Sequence, residues 1–389
     1  VKDVYLVSAA RTPLGSFLGS LQTVPAPVLG SVVIEAVLTR AGVPKSAINE
    51  VLMGCVLPTG QGQAPARQAM IQAGLPESTG AVTINKVCGS GLKAVMIGAA
   101  EIRAGEADLV VAGGMENMSL TPFYLKDARN GFRMGHQTLI DSMIADGLWD
   151  PYHDLHMGNA AELCAEKYAF TREAQDAFAL QSYQRARTAL ESGAFDAEVV
   201  PVPVPQRRGD PVLFTKDEEP YKSDLAKLGT LRAAFQPNGG TITAGNASTI
   251  NDGAAALLLA SPEAVEKYGL TPMARIVSSA THSQEPLWFT TAPVGAMQKA
   301  LDKAAVPSID SYEVNEAFAV VPMAAILELN LPAEKVNPRG GAVSLGHPIG
   351  ASGARILVTL LHTLQPGQHG LASLCIGGGE AVAMVVERL

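Results

Sequence analysis

Apolar positions along the chain fall into short blocks, and the blocks recur. Val28 to Val43 reads as a helix ending at Ala41-Gly42-Val43-Pro44, followed by a strand, Glu50-Val51-Leu52-Met53-Gly54. Far downstream, Val294 to Val306 predicts a similar helix, then Ala304-Ala305-Val306-Pro307 and the strand Tyr312-Glu313-Val314-Asn315. Pro44 and Pro307 stand 263 residues apart; Ser90 and Ser352, each followed by glycine and each read as opening a helix, stand 262 apart. Both of those helices lead to apolar strands read as ending in glycines, Leu109 to Gly114 and Leu374 to Gly378. The starting strands, Val4 to Ala10 and Ala274 to Ala280, correspond as well. A near-constant offset over so many segments predicts two copies of one βαβ-rich unit, an α/β fold.

Between the copies lies material of another kind. Residues 119 to 248 carry a Pro-Val-Pro-Val-Pro stretch, a charged run at Lys216-Asp217-Glu218-Glu219, and one amphipathic helix expected from Arg172 to Ser192 with Thr171 as its cap. Asn251 to Tyr268 returns to strand and helix character and completes the first copy. The expected domains are therefore 1–118 with 249–269, an inserted 119–248, and 270–389.

Composition narrows the class. Of 389 residues, 47% are apolar but only 5% aromatic, and 38 are glycine. Small side chains in that proportion suit closely layered helices and strands, and so much apolar surface excludes disorder. A net charge of −8 argues against a nucleic-acid partner. No apolar run approaches the ~18 residues of a membrane span. The first residues lack a secretory pattern, and the four scattered cysteines suggest reduced thiols. The expected location is cytoplasmic, or the mitochondrial matrix for a processed chain.

Four segments carry candidate chemistry. In Asn85-Lys86-Val87-Cys88-Gly89-Ser90-Gly91, a cysteine before a helix gains thiolate character from the helix's positive end. In Gly346-His347-Pro348-Ile349-Gly350, a histidine in a rigid turn could take that thiol's proton. Cys375-Ile376-Gly377-Gly378-Gly379 offers a second thiol and a glycine run whose N–H groups could cradle an oxyanion. Val314-Asn315-Glu316-Ala317 could hold a water or orient His347, or simply cap a helix. Each has a bland structural explanation alone: a buried cysteine, a turn histidine, a helix cap. Together they fall at junctions that line a site at the carboxyl ends of strands.

These segments closely resemble those of the thiolases, and the similarity runs end to end. It includes Ala10-Arg11-Thr12-Pro13, Gly113-Gly114-Met115-Glu116, His156-Met157-Gly158 and Asn246-Ala247-Ser248-Thr249. The resemblance implies a five-layered αβαβα fold with an inserted loop domain. His156-Met157-Gly158 points to the short-chain biosynthetic class, which condenses two acetyl-CoA to acetoacetyl-CoA. It implies Cys88 as nucleophile, His347 as its base and Cys375 as the base toward the second substrate. His347 and Asn315 would serve one oxyanion hole, and the N–H groups of Cys88 and Gly377 the other.

The same resemblance sets Leu148, His156, Met157 and Phe289 by the acyl and pantetheine end of CoA and Ser248 on the pantetheine. Lys222 and Lys227 would stand near the nucleotide. It implies a potassium site from the Tyr183 side chain and the carbonyls of Ala244, Gly245, Ala247 and Val343, with no cofactor required beyond CoA as substrate. A homotetramer is implied too, tied by a loop at about 119–145. Rival readings are a longer-chain 3-ketoacyl-CoA thiolase and a non-catalytic acyl-CoA-binding scaffold.

Overall fold

The offset segments fold as two copies of one sheet. In a computed structural model, which describes residues 2–389, strand Tyr5–Arg11 pairs antiparallel with Asn251–Ala260. That strand pairs antiparallel with Leu109–Asn117, which runs parallel to Glu50–Gly54. In the second copy, Ala274–Ser283 pairs antiparallel with Glu380–Arg388, which pairs antiparallel with His369–Ile376, and the latter runs parallel to Ser311–Val314. Order and sense are the same. A register slip recurs too, between Leu6 and Ser8 in one copy and between Ile276 and Ser278 in the other. The first copy adds an edge strand, Gly80–Ile84. The copies meet edge to edge through Tyr5 with Arg275 and Leu6 with Ala274.

Helices complete five layers. Ala26–Ala41 covers the outer face of the first sheet, its Val33, Ile34 and Val37 sharing a core with Val51, Met53 and Val111. Ser90–Ala104 and Ile349–Thr363 lie between the sheets, where Leu92, Val95 and Leu357 pack with Leu257 and Leu259 on one side and Leu374 and Val382 on the other. Ala292–Ala304 and Val320–Glu328 close the outer face of the second sheet. Strands covered on both faces read as continuous apolar runs, and Asn251–Ala260 is buried throughout. For the same reason Ile349–Leu361 is buried on every side.

The two central helices touch at their first turns. A Cβ on Gly91 would lie 2.7 Å from the Ala354 nitrogen, and one on Gly353 would lie 2.9 Å from Leu92 Cβ. Only glycine permits that approach, and it brings Cys88 and His347, each just before one of these helices, to a common place.

Three expectations change. Gly113 and Gly114 do not end their strand, which continues to Asn117; they sit mid-strand because a Cβ on Gly113 would lie 2.8 Å from Ala256 Cα in the paired strand, and one on Gly114 3.0 Å from Ala351 Cα in the crossing helix. Ser352 does not open its helix, which starts at Ile349. Asn315 caps no helix and Glu316 opens none, since the next helix begins at Val320. The buried Glu316 carboxylate instead accepts from Ser182 Oγ at 2.7 Å, Asn337 Nδ2 at 2.9 Å and the Val343 N–H at 3.1 Å.

The inserted segment joins two strands whose second-copy counterparts are linked by only Gly377–Gly379. It holds the helix Arg172–Glu191, capped by Thr171 Oγ1 accepting from the Ala174 N–H at 3.2 Å. It also holds a hairpin of Phe123–Leu125 with Leu139–Asp141. Arg11, fully buried in the first strand, fastens it through Glu198 at 2.5 Å and Asp217 at 2.7 Å. Among the described residues no helix is long and apolar enough to cross a membrane.

Candidate active site

Strand Gly80–Ile84 gives way to a tight turn that presents Cys88. The Gly89 N–H donates to the Lys86 carbonyl at 3.0 Å, the Ser90 N–H to the Val87 carbonyl at 3.1 Å, and the Lys86 N–H to Ser90 Oγ at 2.8 Å. Val87 is held at φ +44°, a conformation a β-branched residue rarely adopts. The backbone N–H groups of Cys88 itself and of Gly377 both favour the charged form of the Cys88 sulfur. Burial nevertheless pushes the thiol up to about 11, against the pull of those two donors. The expected thiolate is therefore not the resting form: desolvation outweighs the helix terminus, and Cys88 waits as a thiol.

His347, the candidate base, is neutral. Burial, aided by the nearby Arg355 cation, holds the imidazole down at about 3, so it is neutral at physiological pH. Its tautomer follows from its neighbours. Ser352 Oγ donates to the Pro348 carbonyl at 2.9 Å and so accepts from His347 Nδ1 at 2.6 Å. Nε2 is left unprotonated, its lone pair accepting only a long hydrogen bond from Asn315 Nδ2 at 3.5 Å. The His347 N–H is fixed on Asn251 Oδ1 at 2.9 Å. Asn315 Oδ1 is buried without a hydrogen-bond partner among the described residues.

Cys375, one residue before its strand ends, is fully buried. Burial raises its thiol well above the ordinary range, and the neighbouring Cys88 adds to the effect. Beneath the site Glu116 accepts from the N–H groups of Val56 at 2.9 Å, Leu57 at 3.1 Å and Gly350 at 2.9 Å, pinning the helix that follows His347. Burial pushes this carboxyl up to about 7, although its three donors oppose the shift.

Cys88, His347 and Gly377 line a cavity of about 310 Å³ together with Leu148, His156, Met157, Ser248 and Phe289. Five of the seven residues expected around CoA thus face one space with the candidate nucleophile. Lys222 and Lys227 do not; both are exposed, and Lys227 pairs with Asp224 at 3.0 Å. Asn315 and Cys375 stand behind the wall rather than in it. Sequence reasoning missed Phe235 and Phe318: Phe235 stacks on His156 with centroids 4.8 Å apart, and Phe318 meets Phe235 and Phe289 edge-on. Phe235 lies in irregular chain with no periodicity to flag it. Ser352 and Asn251 were visible only as parts of helix and strand. Tyr183 is buried against Val343, its hydroxyl accepting from Ser223 Oγ at 3.1 Å.

A cysteine with two convergent backbone donors, a neutral histidine base and a second buried thiol make an acyl-transfer site. They stand at the strand ends of a duplicated α/β scaffold. The family model of the thiolase N-terminal domain matches residues 4–263, and that of the C-terminal domain matches 270–388. Acetyl-CoA acetyltransferase 2 of Arabidopsis thaliana is 54% identical over all of this chain and 98% of its own length. An acetyl-CoA acetyltransferase of Pseudomonas aeruginosa is 51% identical over the whole of both chains. Among solved structures, Acat5 thiolase from Ascaris suum in complex with coenzyme A superposes with a TM-score of 0.96 at 46% identity, covering both chains completely. The Bacillus anthracis acetyl-CoA acetyltransferase gives 0.96 at 41% identity, over 100% of this chain and 99% of its own. The chain belongs to the thiolase family.

Proposed function

We infer that this thiolase is an acetyl-CoA C-acetyltransferase, joining two acetyl-CoA into acetoacetyl-CoA and CoA and running the reverse thiolysis. The observation that carries the reading is the Cys88 sulfur beside two backbone donors in a cavity that also holds His347. Cys88 gives its proton to His347 Nε2 while its sulfur attacks the thioester carbonyl. The Cys88 and Gly377 N–H groups receive the oxyanion, and collapse expels the CoA sulfur, which takes the proton back from His347. Cys375 then passes its own thiol proton to His347 Nε2, and the resulting thiolate removes a methyl proton from a second acetyl-CoA. The enolate oxygen is met by His347 and a water held on Asn315. The enolate carbon attacks the acetyl group on Cys88, the carbon–sulfur bond breaks, and the proton held by His347 ends on the Cys88 sulfur, while the abstracted proton restores the Cys375 thiol. Loss of one oxyanion donor costs on the order of 3 kcal/mol in such sites.

CoA takes Leu148, His156, Met157 and Phe289 around its acyl and pantetheine end and Ser248 on its pantetheine. Lys222 and Lys227, both exposed, take its phosphates, Lys227 exchanging its Asp224 partner for them. We read the domains as 1–118 with 249–269, 119–248 and 270–389. The potassium reading has support in its donor set. The carbonyls of Ala244, Gly245, Ala247 and Val343 accept no hydrogen bond among the described residues, and Tyr183 is buried beside Val343. With Ala247 also lining the cavity, a bound potassium would stiffen the pocket wall. The four free cysteines fit a reducing compartment, cytoplasm or matrix. The hairpin at 119–145 exposes Phe123, Met134 and Leu139, as a tetramer contact would require.

Acetoacetyl-CoA cleavage by CoA tests the assignment in wild type, Cys88→Ser and Cys375→Ser. Wild type is expected to cleave it, Cys88→Ser to form no acyl-enzyme, and Cys375→Ser to acetylate without forming a carbon–carbon bond. Cleavage of only longer 3-ketoacyl-CoAs would overturn the short-chain assignment, and no thiolysis at all would overturn the enzyme.

A further inference from the structure

The two donors of the acyl oxyanion hole come from different turns in different copies, Cys88 from 85–89 and Gly377 from 377–379. Such a hole works only if both N–H groups converge on one oxygen. No strand pairing links the turns: Gly80–Ile84 pairs with Glu50–Gly54, and His369–Ile376 with Ser311–Val314 and Glu380–Arg388. A charged link does. Lys86 Nζ, two residues before Cys88, pairs with the carboxylate of Glu380, the residue after Gly379. The other Glu380 oxygen accepts from Ser283 Oγ at 3.0 Å, so the acid is held from both sides. Lys86 also belongs to the hydrogen-bonded turn through its N–H and carbonyl. Next to it Val87 keeps its positive φ, and a strained backbone persists only where its surroundings over-determine it.

We propose that the Lys86–Glu380 ion pair is a positioning clamp, holding the Cys88 turn against the Gly377 turn so that the two N–H groups meet one acyl oxygen. The proposal rests on Cys88 being the acetyl acceptor. With side chains 19% and 32% exposed, the pair adds little to global stability; its contribution is geometrical.

Direct electrostatics is the competing account, and it predicts a different pattern. Lys93 faces Glu380 from the helix Ser90–Ala104, while Glu116, His347 and Cys375 surround Cys88. Acting by charge alone, loss of the Lys86 cation would make the Cys88 thiolate harder to form, and loss of the Glu380 anion would make it easier. Loss of a clamp withdraws the Gly377 donor in both variants and so moves them in one direction.

The experiment compares Lys86→Gln, Glu380→Gln, the double variant and the swap Lys86→Glu with Glu380→Lys. Single-turnover CoA release from acetyl-CoA and Cys88 alkylation by iodoacetamide at one alkaline pH are the readouts, with melting temperature as the control. Each single variant is expected to slow acetylation about tenfold and to slow alkylation, without a change in melting. The double is expected to be no worse than either single, and the swap to regain most of the rate. Multiplying single effects, alkylation changes of opposite sign, or variants that acetylate like wild type would each overturn the clamp. A wild type that forms no acetyl-Cys88 would overturn the reading beneath it, and the clamp with it.

Discussion

At the scale of single residues, two neutral groups line one cavity, a thiol pushed up to about 11 by burial and an imidazole held at about 3. A full ion pair at rest is therefore disfavoured, and on the proposed mechanism proton transfer accompanies attack. His347 stays unprotonated throughout the usual imidazole range, so kcat/KM is expected to show no acid limb near pH ~6.5. The tautomer that leaves Nε2 free depends on Ser352. Ser352→Ala is expected to lower kcat by about 10–100-fold with KM little changed. A steady-state pH series on both proteins checks this, and an unchanged kcat would show that the ring needs no such partner.

At the scale of elements, the crossing of the two central helices decides how close the two chemistries stand. Gly353→Val puts bulk against Leu92 where 2.9 Å is already too near for a Cβ. Overpacking of this kind costs about 1–3 kcal/mol. The larger effect is expected on turnover, about 100-fold, because a small displacement of reacting groups is magnified in rate. Thermal melting beside kcat measures the two together; equal losses would mean that the crossing matters for folding alone. This level was also the most legible in sequence, since a repeated order of helix and strand leaves a repeated spacing. The misread places share one cause. Gly113 and Gly114 look like a strand end, and Asn315-Glu316 like a helix start, because local chemistry cannot reveal a paired strand and a helix from the other copy pressing on the glycines, or three donors converging on Glu316 from distant parts of the chain. Phe235 escaped notice for the same reason: its meaning lies wholly in His156, which it stacks upon.

At the scale of the whole molecule, asymmetry between the copies does the functional work. The second copy turns from strand to strand in three glycines, whereas the first inserts a segment that supplies His156, Met157, Phe235 and Ser248 to the cavity wall. Its hairpin exposes 61% of Phe123, 60% of Leu139 and 93% of Met134, an amount of apolar surface that calls for a cover. If the hairpin makes the proposed tetramer contact, Phe123→Ser with Leu139→Ser is expected to turn tetramers into dimers in sedimentation while leaving acetyl-enzyme formation within roughly twofold, since neither residue lines the cavity. Tetramers that persist would assign the hairpin another partner.

The pairing of Cys88 from one copy with His347 from the other also has a consequence for inheritance. Both residues belong to one polypeptide, so a chain defective at Cys88 and another defective at His347 cannot lend each other the missing part, even side by side in one assembly. Two such alleles would fail to complement. Duplication, which in many molecules supplies a spare, has here made each half indispensable to the other.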